Sequence, residues 1–227
     1  MIVSLLEIIS GIIQEYIFMI HNYCRSFMPM SVPNSWQNGE RGDVILIQGF
    51  NERLFTFKKI GNFVNALGYK VYHIKKLDRN FITLAEGVKI IKQFILENNL
   101  EEVVLLSHSK GGLIGKYLID DTEVNTYIKC SISIATPYHG SILGRLRWLS
   151  LYELMPNALH YKTMHLTTEN NYKIFNLYPR IDNHVIPNRN LILKGANNIQ
   201  IDVIGHSRIM GSEKTFKEIK KIFNLRG

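Results

Sequence analysis

Three residues that lie far apart in the sequence have the side chains that nucleophilic catalysis requires. They are Ser109, Asp182 and His206, in that order along the chain. A serine hydroxyl becomes a nucleophile when a histidine within hydrogen-bond reach accepts its proton and an acid group orients that histidine. The three residues therefore predict covalent catalysis on Ser109, with His206 as the base and Asp182 as the orienting acid, if the fold brings them together.

Other histidines and aspartates could be mistaken for this base and acid. We expect the side chain of His108, next to the serine, to turn away from substrate and to pack or hydrogen-bond. His139 is expected to brace a loop. His184 is expected to lie at the surface, because neighbouring residues in a turn seldom pair productively. Asp120 and Asp121 follow a predicted helix and are expected to face water.

Ser109 lies in a pattern that predicts a sharp turn between a strand and a helix. An apolar run from Val103 leads into SHSKG at residues 107–111, and an apolar-periodic segment follows as far as Ile119. This turn resembles the G-x-S-x-G nucleophile elbow of α/β-hydrolases, with Ser107 where the first glycine is expected. A small residue is required there because the two backbones approach closely, and serine meets this need less well than glycine.

The rest of the chain alternates between strand and helix patterns. Short apolar runs predict six strands, at 44–48, 70–74, 103–107, 131–135, 172–177 and 199–204. Amphipathic segments predict the helices between them, one of which opens with a capping box at Thr83 and Glu86. This alternation indicates an α/β fold with an about six-stranded, mainly parallel sheet and helices on both faces.

The candidate residues follow predicted strands. Ligands of an open parallel sheet bind beyond the carboxyl ends of its strands. The segments that would meet at that edge are 49–50, 109, 136–141, 180–182 and 205–206. We therefore expect one cleft to contain Ser109, Asp182 and His206.

The connection between the fourth and fifth predicted strands, at 143–170, is longer than a plain crossover requires. It is either one ordinary crossover helix or a cap over the cleft, and its length favours a cap-like insertion at about 141–170. Its apolar side chains Leu146, Trp148 and Leu149 are then candidates for contacting substrate.

Residues 2–20 are strongly apolar, with a narrow polar stripe that includes Glu7, Gly11 and Glu15. Three interpretations remain open: a helix docked on the main domain, a helix in a membrane interface, or a membrane span in which the glutamates would be costly. No ordinary cleavable signal peptide is recognised, so a cytoplasmic or peripherally membrane-associated protein is expected. Proline and glycine at 26–42 predict a linker, which divides the chain into 1–42 and a main domain at 43–227.

The composition is that of a globular chain with a basic surface. Of 227 residues, 46% are hydrophobic and 20% are charged, and the formal net charge is +8. This charge favours anionic partners, including anionic lipid. The sequence contains no Lys/Arg run, no zinc-finger motif and no aromatic RNA-binding motif, so nucleic-acid binding is not expected. The two cysteines form no metal-binding pattern, and we expect neither a metal nor an organic cofactor.

Three further segments resemble the lipase superfamily, and the resemblance covers about residues 43–210. Residues 182–207, DNHVIPNRNLILKGANNIQIDVIGHS, are similar to the acid-to-histidine segment of small bacterial triacylglycerol lipases. Residues 136–141, TPYHGS, are similar to a TPHxGS segment, with Tyr138 at its histidine. Residues 47–50, IQGF, are similar to the HG oxyanion turn, with Gln48 at its histidine.

The resemblance implies a compact hydrolase core and an ester substrate, with an acyl-enzyme on Ser109. It also implies a backbone oxyanion hole at the N–H groups of Phe50 and Lys110, for which the charge of Lys110 would be incidental. The apolar insertion and N-terminal helix favour a lipidic acyl chain. Two alternatives remain: an acyltransferase or thioesterase that uses the same three residues, and a non-catalytic membrane-docking or binding protein on the same fold.

Overall fold

A computed structural model describes residues 4–28, 30–146 and 149–226 of the chain. Its centre is a six-stranded sheet in the order β2-β1-β3-β4-β5-β6, with every neighbouring pair parallel. The strands are β1 (Asp43–Ile47), β2 (Lys70–His73), β3 (Val103–His108), β4 (Ile128–Ile134), β5 (Ile174–Ile181) and β6 (Asn197–Ile204). The predicted α/β fold with a parallel sheet is confirmed.

Helices cover both faces of this sheet. They are α1 (Leu5–Ser26), α2 (Leu54–Ala66), α3 (Leu84–Glu97), α4 (Lys110–Asp120), α5 (Leu159–Met164) and α6 (Glu213–Arg226). Helices α2 and α6 bury their apolar sides in the core on one face, and α3 and α4 do so on the other. Each large apolar side chain that is fully buried stabilises the fold by about 1.5–3 kcal/mol. Helix α3 begins at the predicted capping box of Thr83 and Glu86.

The strand order places the cleft. After β1 the chain adds β2 on one side and then returns to add β3 on the other side of β1. The loops that follow β1 and β3 therefore diverge, and a crevice opens between them at the carboxyl edge of the sheet. Strand β3 lies in the interior of the sheet and is buried along its whole length, so the turn after it has a rigid base.

The segment before β1, which we interpreted as a linker, packs on the main body. It contains a short 3₁₀ turn at Asn34–Gln37, in which Trp36 is fully buried. The indole Nε1 donates a hydrogen bond to Asn62 Oδ1 at 2.8 Å. The segment that was predicted to be a linker thus contributes a side chain to the core.

Helix α1 is docked on the main body, which was one of the three interpretations of residues 2–20. It turns Gly11 and Glu15 inwards, against the end of β6 and the loop that follows. Its outer side chains are left exposed, Leu6 at 79% and Ile17 at 62%. No helix in the described part of the chain has both the length and the apolar character that crossing a bilayer requires.

Candidate active site

Ser109 forms the turn between β3 and α4. Its backbone has φ 50° and ψ −123°, and its N–H donates to Ile134 O at 2.8 Å. A residue other than glycine in this region stores about 1–3 kcal/mol of strain. Close packing around the turn holds this conformation in place. A Cβ at position 111 would collide with the carbonyl groups of Ile47 and Gln48. The geometry is that of the predicted elbow.

Ser107 fits the position where a glycine was expected because its surroundings make room. Its side chain is fully buried, and its hydroxyl donates to Ile132 O at 3.3 Å. Helix α4 presents Gly115 on this side, where even an added Cβ would stay 3.8 Å from Ser107 Oγ. The departure from the glycine pattern is therefore accommodated within the turn.

The structure brings the three predicted residues together. Ser109 Oγ lies 2.9 Å from His206 Nε2, and His206 Nδ1 lies 2.8 Å from Asp182 Oδ2. Asp182 is 3% exposed and His206 is 5% exposed. This arrangement allows His206 to take the serine proton while the carboxylate fixes the other ring nitrogen as the donor.

Asp182 is held as a carboxylate by several donors. Its Oδ1 accepts the backbone N–H groups of His184 and Val185, each at 2.8 Å. Burial alone would raise the pKa of Asp182, but the charge and hydrogen bond of His206, with those two N–H groups, outweigh it and lower the pKa. An ionised Asp182 favours the His206 tautomer whose Nε2 faces the serine with a lone pair.

A cleft of about 270 Å³ opens above Ser109. Its apolar lining comes from α1, from the loop after β1 and from the insertion, namely Met19, Tyr23, Phe50, Leu151 and Leu154. Of the side chains expected to contact substrate, Leu149 is 45% exposed while its neighbours Leu151 and Leu154 take the place in the cleft. Trp148 and the side chain of Leu146 lie outside the described residues.

Of the two residues whose backbone N–H groups are expected to form an oxyanion hole, one follows Ser109 in the chain and the other lines the same cleft. Phe50 follows β1 and lines the cleft. Lys110 is the first residue of α4, where backbone N–H groups have no acceptor within the helix. The Gln48 side chain, which replaces the histidine of the lipase pattern, points to His73 with 2.6 Å between Nε2 and Nδ1. The Gln48 side chain therefore contacts the neighbouring strand β2.

The chain is similar to known proteins in structure but matches none in the sequence comparisons. No protein-family model matches the chain, and no curated protein does. The mature lipase BlEst2 of Bacillus licheniformis superposes with a TM-score of 0.64 at 17% identity, over 86% of this chain and 96% of that one. A monoacylglycerol lipase of Paleococcus ferrophilus has a TM-score of 0.63 at 17% identity, over 83% and 95%. The chain has the α/β-hydrolase fold.

A third structure with this fold is the α/β hydrolase MGS-MChE2, from a metagenome of lagoon sediments at Mar Chica, Morocco. Its TM-score is 0.63 at 17% identity, over 83% of this chain and 93% of that one. Identities this low show the α/β-hydrolase fold alone, and a shared fold does not assign a shared chemistry.

The Lys110 side chain has a structural role that the sequence did not predict. It is fully buried, and its Nζ donates to the backbone oxygens of Asn80 and Ile82 and to Ser150 Oγ. Glu153 Oε2 lies 3.8 Å away. Burial lowers the pKa of Lys110 to about 8, against the opposing effect of Glu153. The charge is therefore not incidental, because it ties the elbow of the α/β-hydrolase fold to the insertion.

His108 is buried and hydrogen-bonded, as expected, but it also belongs to the lining of the cleft, and it forms a second pair with a carboxylate. Its Nδ1 lies 2.7 Å from Glu52 Oε1, and its Nε2 donates to the backbone oxygen of His206 at 3.0 Å. Burial would lower the pKa of His108, but the charge and hydrogen bond of Glu52 raise it overall. Burial would likewise raise the pKa of Glu52, and His108 with the Gly49 N–H lowers it. No sequence motif singled out Glu52.

Other expectations at this edge are partly corrected. His184 lies inside the site, with its ring centroid 4.7 Å from that of His206, and burial lowers its pKa to about 4. His139 braces a loop as expected, since its Nε2 donates to Ile192 O at 3.1 Å. Asp120 and Asp121 do more than face water: the first binds buried Lys116 and the second pairs with Lys92 at 3.0 Å.

Proposed function

We propose that this protein is a serine hydrolase that cleaves carboxylic esters with lipidic acyl chains, through an acyl-enzyme on Ser109. The observation that carries the proposal is the chain of short contacts from Ser109 Oγ to His206 and from His206 to Asp182, at 2.9 and 2.8 Å, on a strained turn. The two lipases among the structures with the same fold give it support.

In the proposed reaction, Ser109 Oγ forms a bond to the ester carbonyl carbon as His206 Nε2 takes the hydroxyl proton. The carbonyl oxygen becomes an oxyanion that the N–H groups of Phe50 and Lys110 bind, at roughly 3 kcal/mol for each donor. His206 then gives its proton to the departing alkoxide. In the second half, water loses a proton to His206 and attacks the acyl carbon, which releases the acid and restores the serine.

The lining of the cleft supports an acyl chain as the group next to Ser109. Leu151, Leu154, Phe50 and Met19 offer apolar surface next to Ser109 and His206, and polar side chains such as Asn22, Asn51 and Thr56 line the rest of the cleft. An apolar cleft with a few convergent polar groups binds an apolar group and orients one reacting bond. A lipid ester has this character.

The test is hydrolysis of p-nitrophenyl esters from acetate to palmitate, with Ser109→Ala beside the native protein. Activity that increases with chain length and is absent in the variant would support lipid ester hydrolysis. Activity on short chains alone would make the protein an esterase of small substrates. If the native protein neither hydrolyses an ester nor reacts with a fluorophosphonate, the hydrolase proposal is wrong. Fluorophosphonate labelling without hydrolysis would favour acyl transfer.

We also propose that α1 contacts a lipid surface. The contacting part lies in the segment 2–20 and extends as far as Tyr23. Its outward row includes Leu6, Ile9, Ile13 and Ile17, all exposed. Met19 and Tyr23 on the same helix line the cleft, and the exposed Tyr16 and Ile20 lie between Tyr23 and the outward row around the helix. The net charge of +8 favours an anionic surface. A bilayer on this row would lie next to the substrate entrance.

Vesicle co-sedimentation of Ile9→Ser/Ile13→Ser/Ile17→Ser tests the lipid contact. Binding to phosphatidylcholine vesicles with added phosphatidylglycerol should weaken by about tenfold or more, because three isoleucine side chains would no longer enter the bilayer. Hydrolysis of a soluble short-chain ester should not change. Equal vesicle binding by both proteins would overturn the proposal. A native dimer that the variant converts to a monomer would assign the row to a second copy of the chain instead.

A further inference from the structure

Glu15 is a buried carboxylate that the proposed reaction does not use. It lies on α1, outside the region that resembles lipases, and it is fully buried. Its Oε1 accepts the backbone N–H of Ser207 at 2.8 Å, and its Oε2 accepts that of Arg208 at 2.7 Å. Both donors directly follow His206. One carboxylate thus fixes two consecutive amides of the loop that carries the candidate base.

The helix and the loop are shaped for this contact. A Cβ on Gly205 would collide with the Glu15 carboxylate, and Gly205 has φ +120°, a conformation that favours glycine. One turn earlier, a Cβ on Gly11 would come within 2.6 Å of Ile204. Glycine on the loop admits the carboxylate, and glycine on the helix admits the strand end. The contact therefore depends on small residues on both sides.

A further hydrogen bond holds the same loop at His206 itself. The backbone N–H of His206 donates to Asn183 Oδ1 at 3.1 Å, next to Asp182. Glu7 forms an ion pair with Arg180 at the end of β5, so α1 also reaches the strand that carries the acid. The backbone on both sides of the His206 ring is thereby held, while the ring itself remains between Asp182 and Ser109.

We infer that Glu15 is a positioning residue for His206, and that α1 is for this reason part of the active site and not only an attached helix. The inference rests on the proposed hydrolase function. Charge-assisted hydrogen bonds to two backbone amides are strong and directional. They hold His206 Nε2 at the 2.9 Å from Ser109 Oγ that proton transfer requires. A displacement of the base by about 1 Å costs on the order of 100-fold in rate.

Glu15→Gln tests the inference with little change in shape. The amide can accept only one of the two backbone N–H groups, and its NH₂ faces the other. We expect kcat to fall by about 10- to 100-fold, with KM nearly unchanged because Glu15 does not line the cleft. Gln14→Ala is the matched control, since Gln14 is exposed on the same turn of α1, and it should keep native activity.

Fluorophosphonate titration distinguishes positioning from a contribution to folding alone. It measures both the number of reactive serines and the rate constant for each. If Glu15 only stabilised the fold, the number of sites would fall and the rate constant per site would stay native, which would overturn the inference. A positioning role lowers the rate constant in protein whose circular dichroism is native. Glu15→Asp, which keeps the charge but is too short to reach both amides, replaces Glu15→Gln if the latter does not fold.

The two failures can be told apart. A native protein that neither hydrolyses esters nor reacts with the fluorophosphonate overturns the hydrolase proposal and the role of Glu15 together. A reactive native protein with an equally reactive Glu15→Gln overturns only the positioning role.

Discussion

Two pairs of a carboxylate and a histidine lie side by side in this fold. Asp182 and His206 are 2.8 Å apart, Glu52 and His108 are 2.7 Å apart, and the two imidazole rings are separated by 4.9 Å. Both pairs are largely buried. The difference is in the remaining ring nitrogen. In His206 it faces Ser109 Oγ, and in His108 it faces the backbone oxygen of His206.

That difference separates a base, which takes a proton from a hydroxyl, from a brace, which only holds the neighbouring backbone in place. The carbonyl oxygen only accepts, so Nε2 of His108 carries a proton, and Nδ1 carries the other one where it faces the ionised Glu52. The raised pKa of His108 and the lowered pKa of Glu52 agree with this pairing. His108 then has no lone pair with which to take a proton. His206 faces a hydroxyl, which can donate. The pair of Glu52 and His108 is neutral as a whole, and it fixes the backbone of His206 without competing for its proton.

The largest effect should come from Asp182→Asn compared with Glu52→Gln. An amide at position 182 stabilises the wrong His206 tautomer, so kcat should fall by about 10³–10⁴-fold with a fold that remains native. Glu52→Gln should lower kcat/KM by about tenfold or less, since the base keeps its partner. It should instead lower the free energy of unfolding by about 3–5 kcal/mol, because the His108 charge is left buried without its partner.

Ester hydrolysis and urea unfolding of both variants measure this contrast. Glu52→Gln/His108→Gln is the control, because it removes both charges and should recover part of the lost stability. If Glu52→Gln were as inactive as Asp182→Asn in a stable protein, the distinction between base and brace would be wrong.

A smaller effect should appear in the pH dependence of stability. The raised pKa of His108 gives a contribution that is complete below its ordinary value of 6.5 and lost as the pH rises through the raised value. The lowered pKa of Glu52 gives one that is complete above its ordinary value of 4.5 and lost as the pH falls through the lowered value. The pair should therefore stabilise the fold most between pH 4.5 and 6.5.

The measurement is the difference in unfolding free energy between the native protein and Glu52→Gln/His108→Gln across this range. Asp182 and His206 also face the pair, but they are present in both proteins, so most of their own titration cancels in the difference. The difference should be level inside the window and decrease on both sides. A difference that increases steadily with pH above 6.5 would show that His108 is not charged in the folded protein.

The sequence was sufficient to predict the sheet and the meeting of Ser109, Asp182 and His206. Each of these residues comes just after the end of a strand. Because parallel strands end at the same edge of a sheet, the sequence alone predicts that the three residues lie close together. Which side chains at this edge face the cleft was harder to predict. His184 was expected at the surface because sequence spacing does not reveal which side of a turn faces the cleft.

Glu15 and Glu52 could not be predicted in this way. Both bind backbone amides, and an amide has no signature in the sequence. Helix α1 adds a second reason. A surface helix usually buries its apolar stripe, but α1 buries the turn that contains Gly11 and Glu15 and leaves Leu6 and Ile17 exposed. A hydrophobic pattern read alone would have turned the helix the wrong way round.

The smallest expected effect concerns His184, the third imidazole at this edge. Its ring lies about as close to His206 as that of His108 does, at 4.7 Å, and its lowered pKa of about 4 keeps it neutral at pH 7. Its hydrogen bond to Asp182 Oδ1 comes from the backbone N–H, which any residue retains. His184→Asn should therefore change kcat by less than about threefold and act mainly on KM, because the side chain lines the cleft.

His139→Asn is the matched control for this variant, since His139 stacks on His165 at 4.2 Å and does not line the cleft. It should leave both kcat and KM native. A loss of about 100-fold or more in kcat for His184→Asn would mean that His184 takes part in proton transfer, and the comparison would then involve three histidines. A small effect would show that closeness to His206 is not what makes a base. The deciding feature would be the partner that each imidazole nitrogen faces.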